Sequence, residues 1–541
     1  MKQKIEIFDT TLRDGTQGEG VTLSVRDKVA IALKLDEFGV DIIEGGWPGS
    51  NPKDEEFFRE IKKYNLQGAK ISAFGSTARH YNNIEQDPNL QAMLRAETEY
   101  VSMFGKTWRF HAEVGLGINE DQNAELIYNS TRFFVDRGIK VIFDAEHFFD
   151  GYKDDPKFAV KMLKAAEEAG ACVLVLCDTN GGTMTFEIEK IINEVKSYTK
   201  IPLGIHAHND CELAVANSLA AIKNGVTHIQ GTFTGVGERC GNANLCSIIP
   251  NLIIKMNYQT KKKIDLTKLV STANYISELM NIAPNPRAPY VGASAFAHKG
   301  GVHVSAVLKD SRMYEHISPS LVGAKQRVIV SDLSGQSNIK YKAKEFGVDL
   351  PENSDFAKRV VERIKKLEYD GYQFDGAEAS FELLLRSETG EFSSFFKVLD
   401  AKIIVHFGEN SNQTTADAVL KIQVDDQIEH TVSNGNGPVN ALDQALRKAL
   451  TRFYPEISTM KLVDYKVRVI NESEATAAKV RVLIQSADGD EIWNTVGVSE
   501  NIIYASWIAL CDSINYKLFK TRDYKSLQKE SIASNSQVFL R

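Results

Sequence analysis

Cysteine, proline and long apolar runs are all scarce in this chain of 541 residues. Its 6 cysteines include no CxxC pair, which argues against a disulfide framework or a zinc ribbon and indicates a reducing, cytoplasmic setting. No segment approaches the roughly 18 uninterrupted apolar residues of a membrane span. The residues that follow Met1 also lack the apolar core of a secretory signal. We therefore expect no membrane partner.

An excess of positive charge is also absent. Lys and Arg number 64 against 71 Asp and Glu, a net charge of -7, so nothing favours nucleic acid as a partner. Charged residues at 25% and hydrophobic residues at 43% are ordinary for a globular protein, which excludes a disordered, collagen-like or fibrous chain. The length predicts roughly three to four domains, unless one of them is a large α/β barrel.

The first 275 or so residues repeat a short apolar run followed by an amphipathic stretch. Ser24 with Asp27 three residues later predicts the start of one such helix. Strands that alternate with helices imply a parallel sheet, and eight units in this length fit a (β/α)8 TIM barrel, although a doubly wound sheet stays open. The predicted strands are Lys4–Phe8, Asp41–Gly45, Lys70–Phe74, Tyr100–Phe104, Lys140–Asp144, Cys172–Cys177, Leu203–Ala207 and Thr227–Gly231.

The alternation breaks at Pro284, Pro286 and Pro289, which indicate a linker after a barrel domain of residues 1–280. We expect residues 281–394 to form helical linker subdomains, with the clearest helices over Phe356–Leu367 and Ala377–Leu385. Residues 395–520 predict an α+β domain in which 418–450 and 478–514 form two related ββα repeats. Residues 521–541 are a polar tail.

Two polar motifs stand where predicted strands end. Residues 9–17 read DTTLRDGTQ after the first strand, and residues 206–210 read HAHND at the end of the seventh. Strand ends of this kind form the catalytic face of a barrel. His206 and His208 lie two residues apart and therefore face the same side of a strand, where both imidazoles can reach one cation. The alternatives are a polar loop that caps a helix and two ordinary core histidines.

Two further motifs are rich in glycine. Residues 235–244 read GVGERCGNAN, which lacks the GK[ST] of a phosphate loop; here the glycines let the backbone approach a ligand, and Asn242 could supply an oxygen ligand. Residues 298–306 read HKGGVHVSA, which could be a mobile catalytic element or an exposed turn. Acids also stand at other strand ends, at Glu44, Asp144 and Glu146, where each could merely cap a helix.

With DTTLRDGTQ, HAHND, GVGERCGNAN and HKGGVH in this order, the chain resembles the 2-isopropylmalate synthase and homocitrate synthase family. The resemblance covers the barrel and the 298–306 loop, and residues 395–520 are similar to the C-terminal regulatory domain of the family. EGGWPGSNPKD (44–54), FDAEHFFDGYK (143–153) and DGTQ in place of the more common DGEQ resemble the (R)-citramalate synthase subfamily.

The resemblance implies an acyltransferase that condenses acetyl-CoA with a 2-oxo acid and then hydrolyses the thioester. In the subfamily the oxo acid is pyruvate and the product, (R)-citramalate, leads to isoleucine, a branched-chain amino acid. A divalent cation, Mg²⁺ or Mn²⁺ with Zn²⁺ as an alternative, would polarise the ketone. By resemblance its ligands would be Asp14, His206, His208 and Asn242.

The resemblance also assigns roles in catalysis and regulation. Arg13 would stabilise the developing alkoxide, and Glu146 and His303 are candidate bases for enolisation, with Tyr314 a weaker one. His303 would reach the barrel from a neighbouring subunit of a homodimer, and the regulatory domain would bind isoleucine as effector. The residues implied to bind substrate are Arg13, Gln17, Glu146 and Thr179.

Three alternatives stay open. The first is 2-isopropylmalate synthase chemistry on 2-oxoisovalerate. The second is a barrel lyase or a biotin-dependent carboxyltransferase, although the sixth predicted strand ends Cys177-Asp178-Thr179 without the lysine that the carboxyltransferases use. The third is a non-catalytic barrel retained as an amino-acid sensor or scaffold, which the intact set of proposed ligands disfavours.

Overall fold

The structure, a computed structural model, describes residues 4–79, 83–351, 354–406, 415–470, 478–489 and 491–538. It divides into two compact units, Met1–Phe296 with Ile317–Gln326, and Ala297–His316 with Arg327–Arg541. Within the described part of the chain, no helix combines the length and the hydropathy needed to cross a membrane. The finer division at residues 280, 394 and 520 stays a prediction.

The first unit is built on a closed barrel of eight parallel strands in sequence order, in which the last strand pairs with the first. Both faces of these strands are covered, so strands such as the sixth, VLVLCD, are buried along their whole length. The barrel and its eight predicted strands are confirmed. The strands are β1 (Glu6–Asp9), β2 (Ile42–Gly46), β3 (Lys70–Ser76), β4 (Tyr100–Lys106), β5 (Lys140–Glu146), β6 (Val173–Asp178), β7 (Leu203–Ala207) and β8 (His228–Gly231).

Helices surround this barrel, and the first shows how local sequence sets their ends. The Ser24 side chain accepts a hydrogen bond from the Asp27 backbone, which completes the predicted capping box. The same helix ends at Gly39, whose φ of 107° suits glycine, and a Cβ there would lie 2.9 Å from the Lys263 carbonyl. The helices are α1 (Val25–Phe38), α2 (Pro52–Ile61), α3 (Pro88–Arg95), α4 (Glu120–Val135), α5 (Phe148–Asp154), α6 (Pro156–Glu168), α7 (Thr185–Val195), α8 (Ala214–Lys223), α9 (Leu245–Pro250) and α10 (Leu269–Leu279).

The second unit begins with short helices and one short pair of parallel strands. The predicted helix at 356–367 lies within the third helix of this unit, and the one at 377–385 begins one residue before the fourth. The elements are β9 (Ala297–His298), α11 (Gly301–Val307), β10 (Arg327–Val328), α12 (Gln336–Phe346), α13 (Ser354–Tyr369) and α14 (Glu378–Thr389).

Two three-stranded antiparallel sheets, each followed by a helix, complete this unit. The predicted repeat of two strands and a helix is therefore short by one strand. The first strand of the second repeat is absent from the prediction, although apolar and polar residues alternate along it. Each repeat contains an equivalent hydrogen bond from a threonine hydroxyl to a helix carbonyl. Thr431 donates to the Ala445 carbonyl at 3.0 Å in the first repeat, and Thr495 donates to the Ala509 carbonyl at 2.7 Å in the second. The elements are β11 (Lys397–His406), β12 (Thr415–Val424), β13 (Gln427–Gly435), α15 (Pro438–Leu450), β14 (Lys461–Val469), β15 (Val480–Ala487), β16 (Ile492–Ser499) and α16 (Ile502–Val538), which includes most of the polar tail.

Candidate active site

The DTTLRDGTQ motif forms a tight turn at the carboxyl end of β1. Asp9 ends the strand, and its carboxylate accepts hydrogen bonds from the Thr11 backbone at 2.8 Å and from the Thr11 hydroxyl at 3.0 Å. The backbone amides of Arg13 and Asp14 then donate to the Thr10 carbonyl. Burial raises the pKa of Asp9 to about 7, although the bonds from Thr11 oppose the change. This turn presents Arg13 and Asp14 at the open end of the barrel.

Three potential metal ligands converge beside this turn. Among the described residues, one group of three acidic, histidine or cysteine side chains has its donor atoms within 4.8 Å of one another, namely Asp14, His206 and His208. His206 Nε2 lies 3.1 Å from Asp14 Oδ2 and 3.4 Å from His208 Nε2. Both imidazoles come from the end of β7, as the alternation of a strand predicts. Two imidazole nitrogens and one carboxylate oxygen at this separation suit a divalent cation.

The electrostatics of the group also suit a cation. Burial opposes ionisation of Asp14, but the charge of Arg13 and the neighbouring His206 outweigh it and hold the pKa of Asp14 below its ordinary value. Burial and the neighbouring His206 lower the pKa of His208 to about 3. At neutral pH the carboxylate is therefore ionised and the His208 ring is neutral, which are the forms that bind metals.

Asn242 lies next to this group because the glycine-rich loop folds back on itself. Its backbone bridges to His208 in antiparallel fashion, and a Cβ at Gly237 would lie 2.1 Å from Asn242 Nδ2. Gly241 adopts a φ of 87°, and a Cβ there would lie 2.1 Å from the Gly235 carbonyl. Within the described structure, the amide oxygen and nitrogen of Asn242 are buried without hydrogen-bond partners. A buried amide without partners is costly, so a ligating role for its oxygen fits the geometry.

Arg13 is held rigidly at the edge of the group. Its Nε donates to Glu44 Oε2 at 2.7 Å, while the other oxygen of Glu44 accepts from the Ser102 hydroxyl at 2.6 Å. The guanidinium carbon lies 3.8 Å from the centre of the Phe74 ring. Its NH1 lies 3.4 Å from Asp14 Oδ2. A fixed cation beside a metal site can stabilise negative charge that develops on a bound oxygen.

These side chains line one cavity of about 240 Å³ at the carboxyl end of the barrel. One wall is aromatic: the Phe74 and Phe104 rings stack at 5.4 Å, and the Trp47 ring meets them edge-on at 5.6 and 5.7 Å. The Trp47 indole nitrogen donates to Asn89 Oδ1 at 2.7 Å, which fixes the ring. The lining residues are Arg13, Asp14, Gln17, Trp47, Phe74, Phe104, Asp144, Glu146, Cys177, Thr179, His206, His208, Glu238 and Arg239.

Glu146 and Thr179 stand on the side of the cavity formed by β5 and β6. Glu146 pairs with Lys106. The Thr179 hydroxyl accepts a hydrogen bond from the His147 backbone at 2.9 Å, and His147 adopts a φ of 53°, in the left-handed region that non-glycine residues rarely occupy. The cavity thus brings together the substrate and metal candidates of the barrel, with Asn242 adjoining it, whereas Glu44 supports Arg13 from outside the lining. Their roles stay predictions.

His303 and Tyr314 belong to the second unit. Their rings stack with centres 4.3 Å apart, and about half of the Tyr314 side chain is exposed. Nearby, His298 Nε2 lies 3.1 Å from Glu315 Oε1, a buried carboxylate. The two candidate catalytic residues of this segment therefore form one cluster, and their part in the reaction stays a prediction.

Sequence reasoning missed part of the aromatic wall. Phe74 and Phe104 end adjacent predicted strands, so their position at the catalytic face was the signal that could have identified them. Phe148 and Phe149, the first two residues of α5, are fully buried in the barrel core.

Three family profiles match consecutive parts of the chain. The HMGL-like profile matches residues 4–276, which comprise the barrel and the ligand group. The profile described as homocitrate synthase post-HMGL domain-like matches residues 290–371. The LeuA allosteric (dimerisation) domain profile matches residues 375–518, which include both repeats.

Curated relatives cover almost the whole chain. It is 51% identical over 525 residues to an (R)-citramalate synthase from Geobacter sulfurreducens, covering 97% of this chain and 99% of that protein. An (R)-citramalate synthase from Aquifex aeolicus is also 51% identical, with the same coverage. A 2-isopropylmalate synthase from Methanocaldococcus jannaschii is 32% identical over 523 residues, covering 96% of this chain and 95% of that protein.

Proposed function

The chain belongs to the HMGL-like family and within it to the (R)-citramalate synthases, and from this membership we propose that it condenses acetyl-CoA with pyruvate and water to give (R)-citramalate and CoA. It is an acyltransferase of amino-acid biosynthesis. The observation that carries the proposal is the convergence of Asp14, His206 and His208 beside Arg13 in one small cavity.

Asp14, His206, His208 and Asn242 would hold the divalent cation, Mg²⁺ or Mn²⁺ with Zn²⁺ as an alternative. When bound, the cation acts as a Lewis acid on the ketone of the oxo acid. Arg13 places its positive charge where the ketone oxygen becomes an alkoxide, and its bond to Glu44 prevents it from turning away. Thr179 and Gln17 hold the carboxylate of the oxo acid at the cavity wall.

Enolisation of the acetyl group requires a base at its methyl carbon. Glu146 lies in the cavity and its carboxylate is held by Lys106, which makes it the candidate on the barrel side. His303, with Tyr314 stacked on it, is the candidate from the second unit, supplied by a neighbouring subunit of a homodimer. His303→Ala should lower kcat by about 10²–10⁴-fold, the usual contribution of a general acid or base. The same substitution should leave the Kd of Mn²⁺ unchanged, and unaltered turnover would contradict the assignment.

The aromatic wall favours pyruvate over larger oxo acids. The Phe74 and Phe104 rings stack on each other, and the Trp47 ring packs edge-on against both. Because each ring is held by the other two, the wall cannot easily move back to enlarge the cavity. A methyl group fits against such a surface more readily than an isopropyl group. The competing 2-isopropylmalate synthase activity needs room for that isopropyl group.

The test is release of free thiol from acetyl-CoA with pyruvate, 2-oxobutyrate and 2-oxoisovalerate as separate substrates, each with product identified by mass spectrometry. We expect the highest kcat/KM with pyruvate and formation of citramalate. A higher kcat/KM with 2-oxoisovalerate would assign the chain to the other synthase. Absence of thiol release with all three acids in metal-loaded protein would favour a sensor or scaffold instead.

The C-terminal repeats belong to a family domain described as allosteric and dimerising, which supports regulation and a homodimer. We propose isoleucine as the effector, since the product leads to that amino acid, with residues 435–440 and 497–501 as the contacts because they occupy related places in the two repeats. Initial rates with added isoleucine should fall, whereas leucine at the same concentration should have little effect. The reverse order would assign leucine as the effector.

The thiols support a cytoplasmic setting. All 6 cysteines, each within the described part of the chain, are free. We place the enzyme in the cytoplasm, where thiols stay reduced.

A further inference from the structure

We propose that Gln230 is a positioning residue for the metal centre: it joins Asp144 to His206 through its side-chain amide and so fixes the ring of His206 for metal binding. The inference rests on the proposed metal site and adds to it a residue that does not itself touch the metal. It concerns how one ligand is oriented, and its test measures metal affinity rather than turnover.

Gln230 lies in the middle of β8 and is fully buried. It stands opposite His206 in the parallel pairing of β7 and β8. Its Oε1 is 2.9 Å from His206 Nδ1, and its Nε2 donates to Asp144 Oδ1 at 2.9 Å. Asp144 belongs to β5, three strands further round the barrel, so the amide spans the interior beneath the ligand group.

The direction of the hydrogen bonds fixes the tautomer of His206. The carboxylate of Asp144 can only accept a hydrogen bond, so the NH₂ group of the Gln230 amide points toward it. The amide oxygen of Gln230 therefore points toward His206. An amide oxygen also only accepts, so the proton of the neutral His206 ring resides on Nδ1. The lone pair is then on Nε2, the atom that lies 3.1 Å from Asp14 Oδ2. A ring held in this way needs no reorientation when the metal binds.

The other histidine ligand lacks this support. His208 Nδ1 is buried and has no hydrogen-bond partner among the described residues. His206 is therefore the imidazole that the protein orients in advance, which makes its bond to the amide oxygen of Gln230 the principal control over the geometry of the pair.

Packing alone does not require an amide at position 230. A buried amide is unfavourable unless its polar ends are satisfied, and an apolar side chain would fill the same space without that requirement. His228 provides the comparison, because it lies two residues earlier on β8 and faces the same side. It bonds to Glu6 at 2.8 Å, at the end of the barrel away from the ligand group.

The experiment is titration of the full-length protein with Mn²⁺, with free Mn²⁺ followed by electron paramagnetic resonance, and with cooperative thermal unfolding recorded for each variant. Gln230→Leu should weaken Mn²⁺ binding about 10- to 100-fold, the usual effect of removing such a partner. The matched control His228→Leu removes a buried polar bond from the same strand and should leave the Kd within about twofold of the original.

A pair of substitutions tests the order of donors and acceptors in the hydrogen bonds that link Asp144, Gln230 and His206. Gln230→Glu alone sets a second carboxylate against Asp144 and should weaken binding. Combined with Asp144→Asn it restores the order of donors and acceptors, since the new carboxylate accepts from both the ring and the amide. The double variant should bind Mn²⁺ within about threefold of the original, and it keeps the proposal testable if Gln230→Leu does not fold.

Two results would overturn the inference. One is a folded Gln230→Leu protein with unchanged Mn²⁺ affinity, and the other is a double variant that binds no better than Gln230→Glu alone. His206→Ala separates this outcome from failure of the proposed metal site. If His206→Ala leaves Mn²⁺ binding intact, the metal site itself is wrong. If it abolishes binding while Gln230→Leu does not alter it, only the positioning role fails.

Discussion

Phe104 should control which oxo acid the enzyme accepts. It is a half-buried residue of the cavity wall, stacked on Phe74 at 5.4 Å and meeting Trp47 edge-on at 5.7 Å. Phe104→Ala removes the ring from the cavity and leaves Arg13 and the metal ligands untouched. The substitution should therefore change the choice between substrates more than the chemistry common to them.

The size of the effect follows from the difference between the substrates. 2-Oxoisovalerate carries two more carbon groups than pyruvate, and burial of each is worth about 0.8 kcal/mol once space exists. Relief of overpacking against the rigid wall adds roughly 1 kcal/mol. The sum, about 2–3 kcal/mol, corresponds to a rise of roughly 30- to 150-fold in the ratio of kcat/KM for 2-oxoisovalerate over that for pyruvate.

The assay is initial thiol release with each acid at saturating acetyl-CoA, so that only the oxo acid is compared. Phe133→Ala is the control, because Phe133 is buried on the outer helix α4 and does not line the cavity. Phe133→Ala should lower the stability of the protein without changing the ratio of kcat/KM for 2-oxoisovalerate to that for pyruvate. An unchanged ratio in active Phe104→Ala protein, or an equal change in the control, would refute the assignment of this wall to substrate choice.

Three further outcomes are expected. Gly237→Ala should weaken Mn²⁺ binding by tenfold or more in folded protein, because the new Cβ would lie 2.1 Å from Asn242 Nδ2; unchanged affinity would remove Asn242 from the ligands. Removal of metal with EDTA should abolish thiol release, with recovery on addition of Mg²⁺ or Mn²⁺, whereas full activity in protein shown to be metal-free would contradict the mechanism. Burial opposes ionisation of Glu6, but His228 and Lys261 outweigh it and lower the pKa of Glu6 from 4.5 to about 2. Its contribution, on the order of 3 kcal/mol, is therefore complete above pH 4.5 and lost as the pH falls toward 2. The unfolding midpoints of wild type and Glu6→Gln should differ at pH 7 and converge near pH 2, and a constant difference would refute this.

The sequence predicted the barrel well because periodicity and strand ends are local features. Each strand is an apolar run, and each polar motif begins where a run stops, so the position of Arg13, Asp14 and His206 at one end of the barrel followed from the order of elements. The predicted ββα repeat is incomplete for another reason. The strand Lys461–Val469 carries the local signal, since apolar residues at 463, 465, 467 and 469 alternate with polar ones, and the prediction overlooks it. Its antiparallel pairing with the next strand is decided by the tertiary structure.

The sequence by itself determined the fold class, the family and the residue types available for a metal centre, because these depend on short patterns and their order. Tertiary structure alone decided which side chains meet. Gln230 reaches both His206 and Asp144 only because the barrel closes, and Phe74, Phe104 and Trp47 form one wall only because three strand ends adjoin. Distances between residues far apart in the chain are set by sheet closure and packing, and no local pattern records them.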